Sequence, residues 1–293
     1  MTFEQLAIFV AVAEREHVTR AAEVLHLTPS AVSAAIRALE AGHAVRLFDR
    51  VGRRIVLTEA GRLFLGEARA TLARLRAATA LLDDLGGMKR GTVRIHASQT
   101  IANHWLPERL MAFRRAHPPI GLELAIGNTA EVARAVREGE ADLGFVEGAV
   151  DDDTLAAKRI GGDRLVIVVA PGHPCAADPP ATLPTLVAAT PFVMREKGSG
   201  TRAAFEAALF AAGVDPAGLD VLLELAANEA VLAALTAGGT AAAVSGLVAR
   251  PHLAAGDLVA LPLALPERAF LALRHRERRP GVAAAAFAAL CGA

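Results

Sequence analysis

Tyrosine is missing from this chain and tryptophan occurs once, at Trp105. Aromatic residues make up 4% of the sequence, too few for the stacked rings on which single-strand nucleic-acid binders lay successive bases. Cysteine is nearly as scarce. Cys175 and Cys291 stand far apart and fit no metal-ligand spacing, so they read as structural thiols of a reducing compartment rather than a metal site or a sensing pair. Net charge is absent as well: 31 basic residues balance 31 acidic ones. No global field draws a polyanion, and any nucleic-acid contact has to come from a local cluster. No apolar run reaches membrane-spanning length, because Gly, Pro and charges interrupt the Ala-rich tracts. The opening stretch, MTFEQLAIFVAVAEREH, is amphipathic with acids interleaved and has no basic start, unlike a secretory leader. A cytoplasmic protein with no membrane partner is expected.

Enzyme signatures are missing too. The nine histidines are scattered, and neither H-E-x-x-H nor G-x-S-x-G occurs. No Gly-Lys-Ser/Thr follows the one Gly-Ser-Gly run, which excludes a Walker-type phosphate loop. Catalytic residues, metals and cofactors are therefore not expected. What the chain does hold is 53% apolar residues over 293 positions, enough for more than one core.

Its organising stretch runs from His17 to Gly61. Ala21, Ala22 and Leu25 fall at helical spacing, and the two small residues let a second helix cross closely. His26-Leu27 makes a turn, Thr28 is placed to cap the next helix, and Pro29 sits where its missing N–H costs nothing. The second helix, Pro29 to about Ala41, has Val32, Ile36 and Leu39 as an apolar stripe. Ser30, Ser33, Ala34 and Arg37 point the other way, a small hydroxylated face with one guanidinium that suits a major groove. Arg46, Arg50, Arg53 and Arg54 then flank Val51-Gly52 in a short basic hairpin suited to gripping phosphates. Helix, turn, helix and basic hairpin together point to double-stranded DNA. Expected DNA contacts are Thr28, Ser30, Ser33, Arg37, Arg50, Arg53 and Arg54, with the arginines of the hairpin gripping backbone and Ser30, Ser33 and Arg37 setting sequence preference.

The pattern AAEVLHLTPSAVSAAIRALE…VRLFDR…RRIVLTEAG closely resembles the N-terminal winged helix–turn–helix of LysR-type transcriptional regulators, over roughly Phe3 to Gly66. Leu39-Glu40, Leu47-Phe48-Asp49-Arg50 and Leu57-Thr58-Glu59-Ala60-Gly61 stand in the family's order and spacing. Where the family usually has Leu-Gly, this chain has His43-Ala44, which removes the usual glycine from the helix end. The resemblance implies a homodimer, often a homotetramer, and an effector-binding domain downstream. It also implies a regulator that contacts RNA polymerase when it acts.

Helix one is expected over Thr2 to Glu16, with Phe3, Leu6, Phe9, Val10 and Ala13 inward. Thr58-Glu59 opens a long helix to about Leu85 whose apolar side carries Leu63, Ala70, Leu75 and Leu82. So long a stripe calls for the same helix of a second subunit. Gly86 to Gly91 reads as a hinge.

Beyond the hinge, strand and helix patterns alternate: strands at Thr92–Ala97, Leu122–Ile126 and Ala141–Val146, helices at Trp105–His117 and Thr129–Glu138. Arg164 to Ala170 is a continuous apolar strand that starts a second lobe. That alternation predicts parallel sheets with right-handed crossovers. The expected fold class is multidomain α/β: a winged helix–turn–helix (1–61), a linker helix (58–85), a hinge (86–91) and a two-lobed, periplasmic-binding-protein-like domain (92–293). Lobe I takes 92–162 and 267–293, lobe II takes 163–266. The chain crosses between lobes near Ile160–Asp163 and Leu265–Ala269.

Ligands of such sheets bind where strand ends meet helix starts. Ser98-Gln99-Thr100, Arg195 to Arg202 and Val146-Glu147-Gly148 qualify, with Asn128-Thr129 at the rim. Expected effector contacts are Ser98, Gln99, Thr100, Thr129, Glu147, Arg195, Ser199 and Thr201; Asn228 reads as a helix cap, and Glu147 as a partner for Arg195 or Arg202. Hydroxyls and free N–H groups at helix starts favour a small anion. Arg-Glu-x-Gly-Ser-Gly-Thr-Arg also resembles a branch of the family linked to sulfur assimilation and carbon fixation, which implies a sulfate- or sulfite-like anion or a phosphorylated metabolite. The competing reading is a small-molecule-binding α/β protein or enzyme with an unrelated N-terminal helical domain.

Overall fold

A computed structural model describes residues 1–51, 54–85 and 91–293, and its elements fall into two compact units. Arg53 and residues 86–90 of the expected hinge lie outside the described residues.

The first unit opens with α1 (Phe3–Arg15), closed at its start by a capping box: Thr2 N donates to Gln5 Oε1 at 2.9 Å and Gln5 N to Thr2 Oγ1 at 3.1 Å. The expected inward face is only partly right. Leu6, Phe9 and Ala13 are buried, but Phe3 is 53% exposed and Val10 half-buried, while Ile8, Ala11 and Val12 are inside. The reason is that α1 packs on three elements rather than one helix pair: α2 (Val18–Leu25), α3 (Pro29–His43) and α4 (Glu59–Leu85). Ala21 and Ala22 are fully covered where the helices cross.

α3 runs to His43 and stops at Ala44, which adopts a left-handed φ of 51°. Ala44 N donates to Ala41 O and Val45 N to Glu40 O, closing the helix without the usual glycine. Glu16 and His26 end α1 and α2 in the same left-handed conformation. Among the described residues these three are the non-glycine positions with positive φ, each strained by about 1–2 kcal/mol.

β1 (Phe48–Val51) and β2 (Arg54–Leu57) form an antiparallel hairpin in which Arg50 faces Ile55 and Val51 faces Arg54. Glu40 ties it to α3 by accepting from Leu47 N at 2.7 Å and Phe48 N at 3.2 Å. Gly61 is required at the start of α4, because a Cβ there would stand 2.2 Å from Leu47 O. On α4, Phe64, Leu65, Ala68 and Leu72 join the unit's core. Of the expected apolar side, Ala70 is half-buried, Leu75 is exposed, and Leu63 and Leu82 are 71% and 69% exposed in the single chain.

The second unit is built on nine strands. β3 (Gly91–Ser98), α5 (Gln99–His104), α6 (Leu106–Ala116), β4 (Ile120–Gly127), α7 (Thr129–Glu138) and β5 (Leu143–Glu147) make lobe I. One helix was expected over Trp105–His117. That helix is α6, one residue shorter at each end and with Pro107, which lacks an N–H, in its first turn; the separate short α5 ends before Trp105. β6 (Leu155–Val169) then crosses to lobe II, which holds α8 (Pro174–Ala177), α9 (Leu183–Ala189), β7 (Phe192–Arg195), α10 (Gly200–Ala211), β8 (Val221–Leu225), α11 (Asn228–Thr236), β9 (Ala241–Ser245), α12 (Gly246–Ala255) and β10 (Val259–Ala260). β11 (Glu267–His275) returns to lobe I and α13 (Val282–Leu290) closes the chain.

Strand order is β4-β3-β5-β11-β6-β9-β7-β8, with β10 also on β6. The expected parallel pairing is found within each lobe but does not extend to the crossing strands. β3 with β4 and β5, and β7 with β8 and β9, are parallel, but β11 pairs antiparallel with β5 and β6, and β6 antiparallel with β9 and β10. The crossing strands run back along each other, and that reverses their direction. The two predicted crossings are not loops. They are the middle of β6 and the start of β11, paired from Leu155↔His275 to Arg164↔Glu267 with a bulge beside Phe270. Each lobe has its own apolar core, centred on Ile95, Phe113, Phe145 and Phe287 in lobe I, and on Ile167, Phe192, Phe205 and Leu209 in lobe II.

Candidate functional site

Thr28 begins α3, and its Oγ1 accepts from Ala31 N at 3.2 Å and lies 3.0 Å from Ser30 Oγ. Val32, Ile36 and Leu39 are buried at successive turns, which fixes the helix's rotation. Ser30, Ala34, Arg37 and Ala41 are therefore left exposed on the opposite side, while Ser33 is half-buried on the shoulder beside Ile36. No side chain of this face exceeds a serine except Arg37, so a helix surface this smooth can approach a groove floor closely. Arg50 and Arg54 are exposed on the hairpin. The pairing register sets them on opposite faces of it, since Arg50 stands across from Ile55 and Arg54 across from Val51.

The cleft of the second unit is made of strand ends and helix starts. All the expected residues except Gln99 are buried: Ser98, Thr100, Thr129, Glu147, Arg195, Ser199 and Thr201. Ser98 begins α5 but does not cap it; its hydroxyl donates to Glu147 Oε2. Thr129 Oγ1 donates to Glu147 O at 3.2 Å. Gly200 packs on the same spot from lobe II, where a Cβ would stand 2.2 Å from Glu147 O and 2.6 Å from Thr129 Oγ1. Ala130 N donates to Gly198 O at 3.2 Å, and Gln99 donates to Ala226 O at 2.7 Å while accepting from Asn228 N at 3.0 Å. The lobes thus meet through direct hydrogen bonds at two separate points.

Arg195 does not reach Glu147. It forks onto the neighbouring Glu196 at 2.8 and 2.9 Å and donates to Asn228 Oδ1 at 2.5 Å. Burial works against the Glu196 charge, but the Arg195 fork outweighs it and holds that carboxyl below its ordinary range. Arg202 is likewise taken, by Glu206 at 2.7 Å and by Glu224. Asn228 was expected to cap α11. The cap position is Ala227, and Asn228 is buried, its Nδ2 3.5 Å from Thr100 Oγ1. Ser199 does cap its helix, accepting from Arg202 N at 3.5 Å.

Glu147's cationic partner is a residue that sequence reasoning missed. Arg268, at the start of β11, stands 3.5 Å from Glu147 Oε1, donates to Thr201 Oγ1 at 2.9 Å, and forks onto Asp163 at 2.5 and 2.9 Å. Ser245 Oγ donates to the same Asp163 at 2.5 Å. The predicted crossings do carry Asp163 and the Glu267-Arg268 pair, but only the register of β6 with β11 sets Asp163 opposite Arg268. Neither cysteine takes part. Burial, and then the charge of Asp178, raise the Cys175 thiol, and burial pushes Cys291 up to about 12. Among the described residues no group of His, Cys, Asp and Glu could hold a metal ion, and no helix is long and apolar enough to cross a membrane.

Comparison with known proteins agrees with both halves. Residues 3–62 match the bacterial regulatory helix-turn-helix protein, lysR family, and residues 86–293 match the LysR substrate binding domain. The uncharacterized HTH-type transcriptional regulator YeiE of Escherichia coli K12 is 35% identical over 280 residues, covering 95% of this chain and 92% of its own. The RuBisCO operon transcriptional regulator of Allochromatium vinosum is 37% identical over 206 residues, covering 70% of this chain and 68% of its own. Among solved structures, the Synechocystis PCC6803 CcmR regulatory domain in complex with 2-PG aligns with a TM-score of 0.61 at 24% identity, covering 69% of this chain and 96% of that one. The likeness to the carbon-fixation branch is thus carried by a relative as well as by the Arg195–Arg202 motif. With α3 and its hairpin in the first unit and two α/β lobes in the second, the chain belongs to the LysR family of helix-turn-helix transcriptional regulators, and its second unit is that family's effector-binding domain.

Proposed function

We propose that α3 enters the major groove of operator DNA, reading bases with Ser30, Ser33 and Arg37 while Thr28, Arg50, Arg53 and Arg54 hold phosphates. The observation that carries this is the exposed Ser30-Ala34-Arg37-Ala41 face, turned outward by the burial of Val32, Ile36 and Leu39. The domain plan that goes with it is 1–61 for DNA, 58–85 for pairing subunits, 86–91 as hinge and 92–293 for the effector. The exposed Leu63, Leu75 and Leu82 of α4 support a homodimer or homotetramer held through that helix. Sedimentation velocity of Leu82→Glu reads this directly, with a lighter species expected and an unchanged one ruling it out. As a cytoplasmic regulator rather than an enzyme, it acts on RNA polymerase at the promoter.

The effector is a small anion, sulfate- or sulfite-like or a phosphorylated metabolite, held among Ser98, Gln99, Thr100, Thr129, Glu147, Arg195, Ser199 and Thr201. Hydroxyls on three helix starts support this reading, and so does the 2-PG bound by the CcmR domain. It modulates DNA binding and bending only through a different affinity for two lobe arrangements. A thermal-shift series with sulfate, sulfite, thiosulfate, acetylserine, sugar phosphates and 2-PG tests it. At least one anion should raise the melting temperature, and Thr100→Ala with Ser199→Ala should abolish the rise. A rise that survives both changes places the anion elsewhere.

A further inference from the structure

Arg268 is the side chain through which β5, β6, α10 and its own strand β11 are linked by polar contacts. Its Nε and Nη2 fork onto Asp163 of β6, at 2.5 and 2.9 Å. Its Nη1 points the other way, donating to Thr201 Oγ1 of α10 at 2.9 Å and lying 3.5 Å from Glu147 of β5. Arg268 itself belongs to β11. One guanidinium thus touches lobe I, lobe II and the crossing strand beside its own, and it is buried in doing so.

The two ends of this side chain are not equivalent. The Asp163 end is a paired fork, which a planar guanidinium makes and a rotating ammonium does not. Ser245 donates to the same carboxylate, so that end is fixed from both sides. The Nη1 end is shared between a hydroxyl and a longer contact to a carboxylate that Ser98 already occupies. That end is the looser one, and it faces residues assigned to the effector cleft.

We infer that Arg268 is the brace that sets lobe closure: anchored by its fork on Asp163, it holds the start of α10 against Glu147, and it passes any change at Thr201 or Glu147 to both crossing strands. It is a positioning residue, and its part in signalling rests on the cleft being the effector site. A lone partner such as Gln99 or Ala130 links two points across the cleft, but neither reaches the strands that join the lobes.

Trp105, alone of its kind in the chain, sits where this can be watched. Its ring meets Phe270, two residues beyond Arg268, edge-on at 6.4 Å between centroids, and Arg109 stacks on it at 3.5 Å. Gly161, which pairs with Phe270, lies against its indole nitrogen, 3.6 Å from where a Cβ would stand.

The test uses the full chain without any ligand. Amide hydrogen exchange and acrylamide quenching of Trp105 are compared for the parent, Arg268→Lys and Thr201→Val. Arg268→Lys keeps the charge and loses the fork. It should speed exchange by roughly tenfold in 155–163, 199–203 and 267–270, and raise quenching, with α9 and α13 unchanged. Thr201→Val, which removes only the hydroxyl receiving Nη1, should give the same pattern at smaller amplitude near 199–203. Parent-like exchange and quenching in a folded Arg268→Lys protein overturns the brace. If that variant fails to fold, parent-like exchange at 199–203 in Thr201→Val overturns it instead. Either negative leaves the effector reading untouched, and a failed anion screen leaves the brace untouched, so the two readings fail separately.

Discussion

The α3 face and the effector cleft carry similar residue types, serines, threonines and arginines, in opposite surroundings. On α3 they stand in solvent, with Arg37, Arg50 and Arg54 exposed and Ser30 sharing only a hydroxyl contact with Thr28. In the cleft nearly every polar group is buried and bonded to another, from Ser98 on Glu147 to Arg268 on Asp163. An exposed set recognises by being available, and removing one member subtracts a contact. A buried, mutually satisfied set holds an arrangement, and removing one member strands its partner. The same substitution therefore has different consequences in the two places.

The contrast is sharpest at Asp163. Asp163→Ala leaves Arg268 buried with only the 3.5 Å approach to Glu147 as charge compensation, which should destabilise the second unit by about 3–5 kcal/mol. Urea melts monitored at Trp105 read this, and an unchanged midpoint would mean the network is not structural. On the exposed side, Arg50→Ala and Arg54→Ala should leave the melt unchanged. Each should instead weaken binding to all DNA sequences and flatten the slope of log K against log salt by about 0.9. A loss confined to one operator sequence would contradict this, because it would make these arginines base readers.

Ala44 holds a left-handed φ of 51° with no Cβ-free residue to relieve it, so Ala44→Gly should stabilise the first unit by about 0.5–1 kcal/mol. Destabilisation in thermal melts would show that Ala44 earns its place by packing. The smallest effect concerns His173. It is buried, its Nδ1 accepts from Cys175 N at 3.1 Å, its Nε2 lies 3.0 Å from Thr190 Oγ1, and burial lowers its pKa below the ordinary 6.5. Its neutral form fits the fold, so its contribution is fully present above pH 6.5. Below that value the unfolded chain takes up a proton that the folded one refuses, and stability falls toward the depressed pKa. His173→Asn keeps an acceptor for Cys175 N and should flatten this part of the stability–pH curve; an identical curve would assign the slope to other groups.

How much could be read beforehand divides along the same line. The α3 face follows from three apolar residues at helical spacing, a capping Thr28 and Pro29, all local signals. Strand cores such as Arg164–Ala170 are equally legible from apolar runs. The first half of β6 was not, because Lys158, Arg159, Gly161, Gly162 and Asp163 look like a turn when read alone. They become a strand only through pairing with β11, over a hundred positions away. α12 was missed for a similar reason: Pro251 lies inside it. In the cleft, the strand-end positions of Ser98, Thr129, Glu147 and Ser199 were visible, but their partners were not. Glu147 was expected to meet Arg195 or Arg202, each of which has nearer carboxylates at Glu196, Glu206 and Glu224. Residues brought together by sheet topology leave no mark on local spacing.

Base reading of operator DNA is the role proposed for Arg37 and its exposed helix face. It is tested most directly by mobility shift of DNA flanking the protein's own gene, comparing the parent with Arg37→Ala over a series of base-substituted sites. The parent should discriminate by about 1–3 kcal/mol at one base pair per half-site, and Arg37→Ala should lose that discrimination while still binding. Discrimination unchanged in Arg37→Ala would contradict the claim.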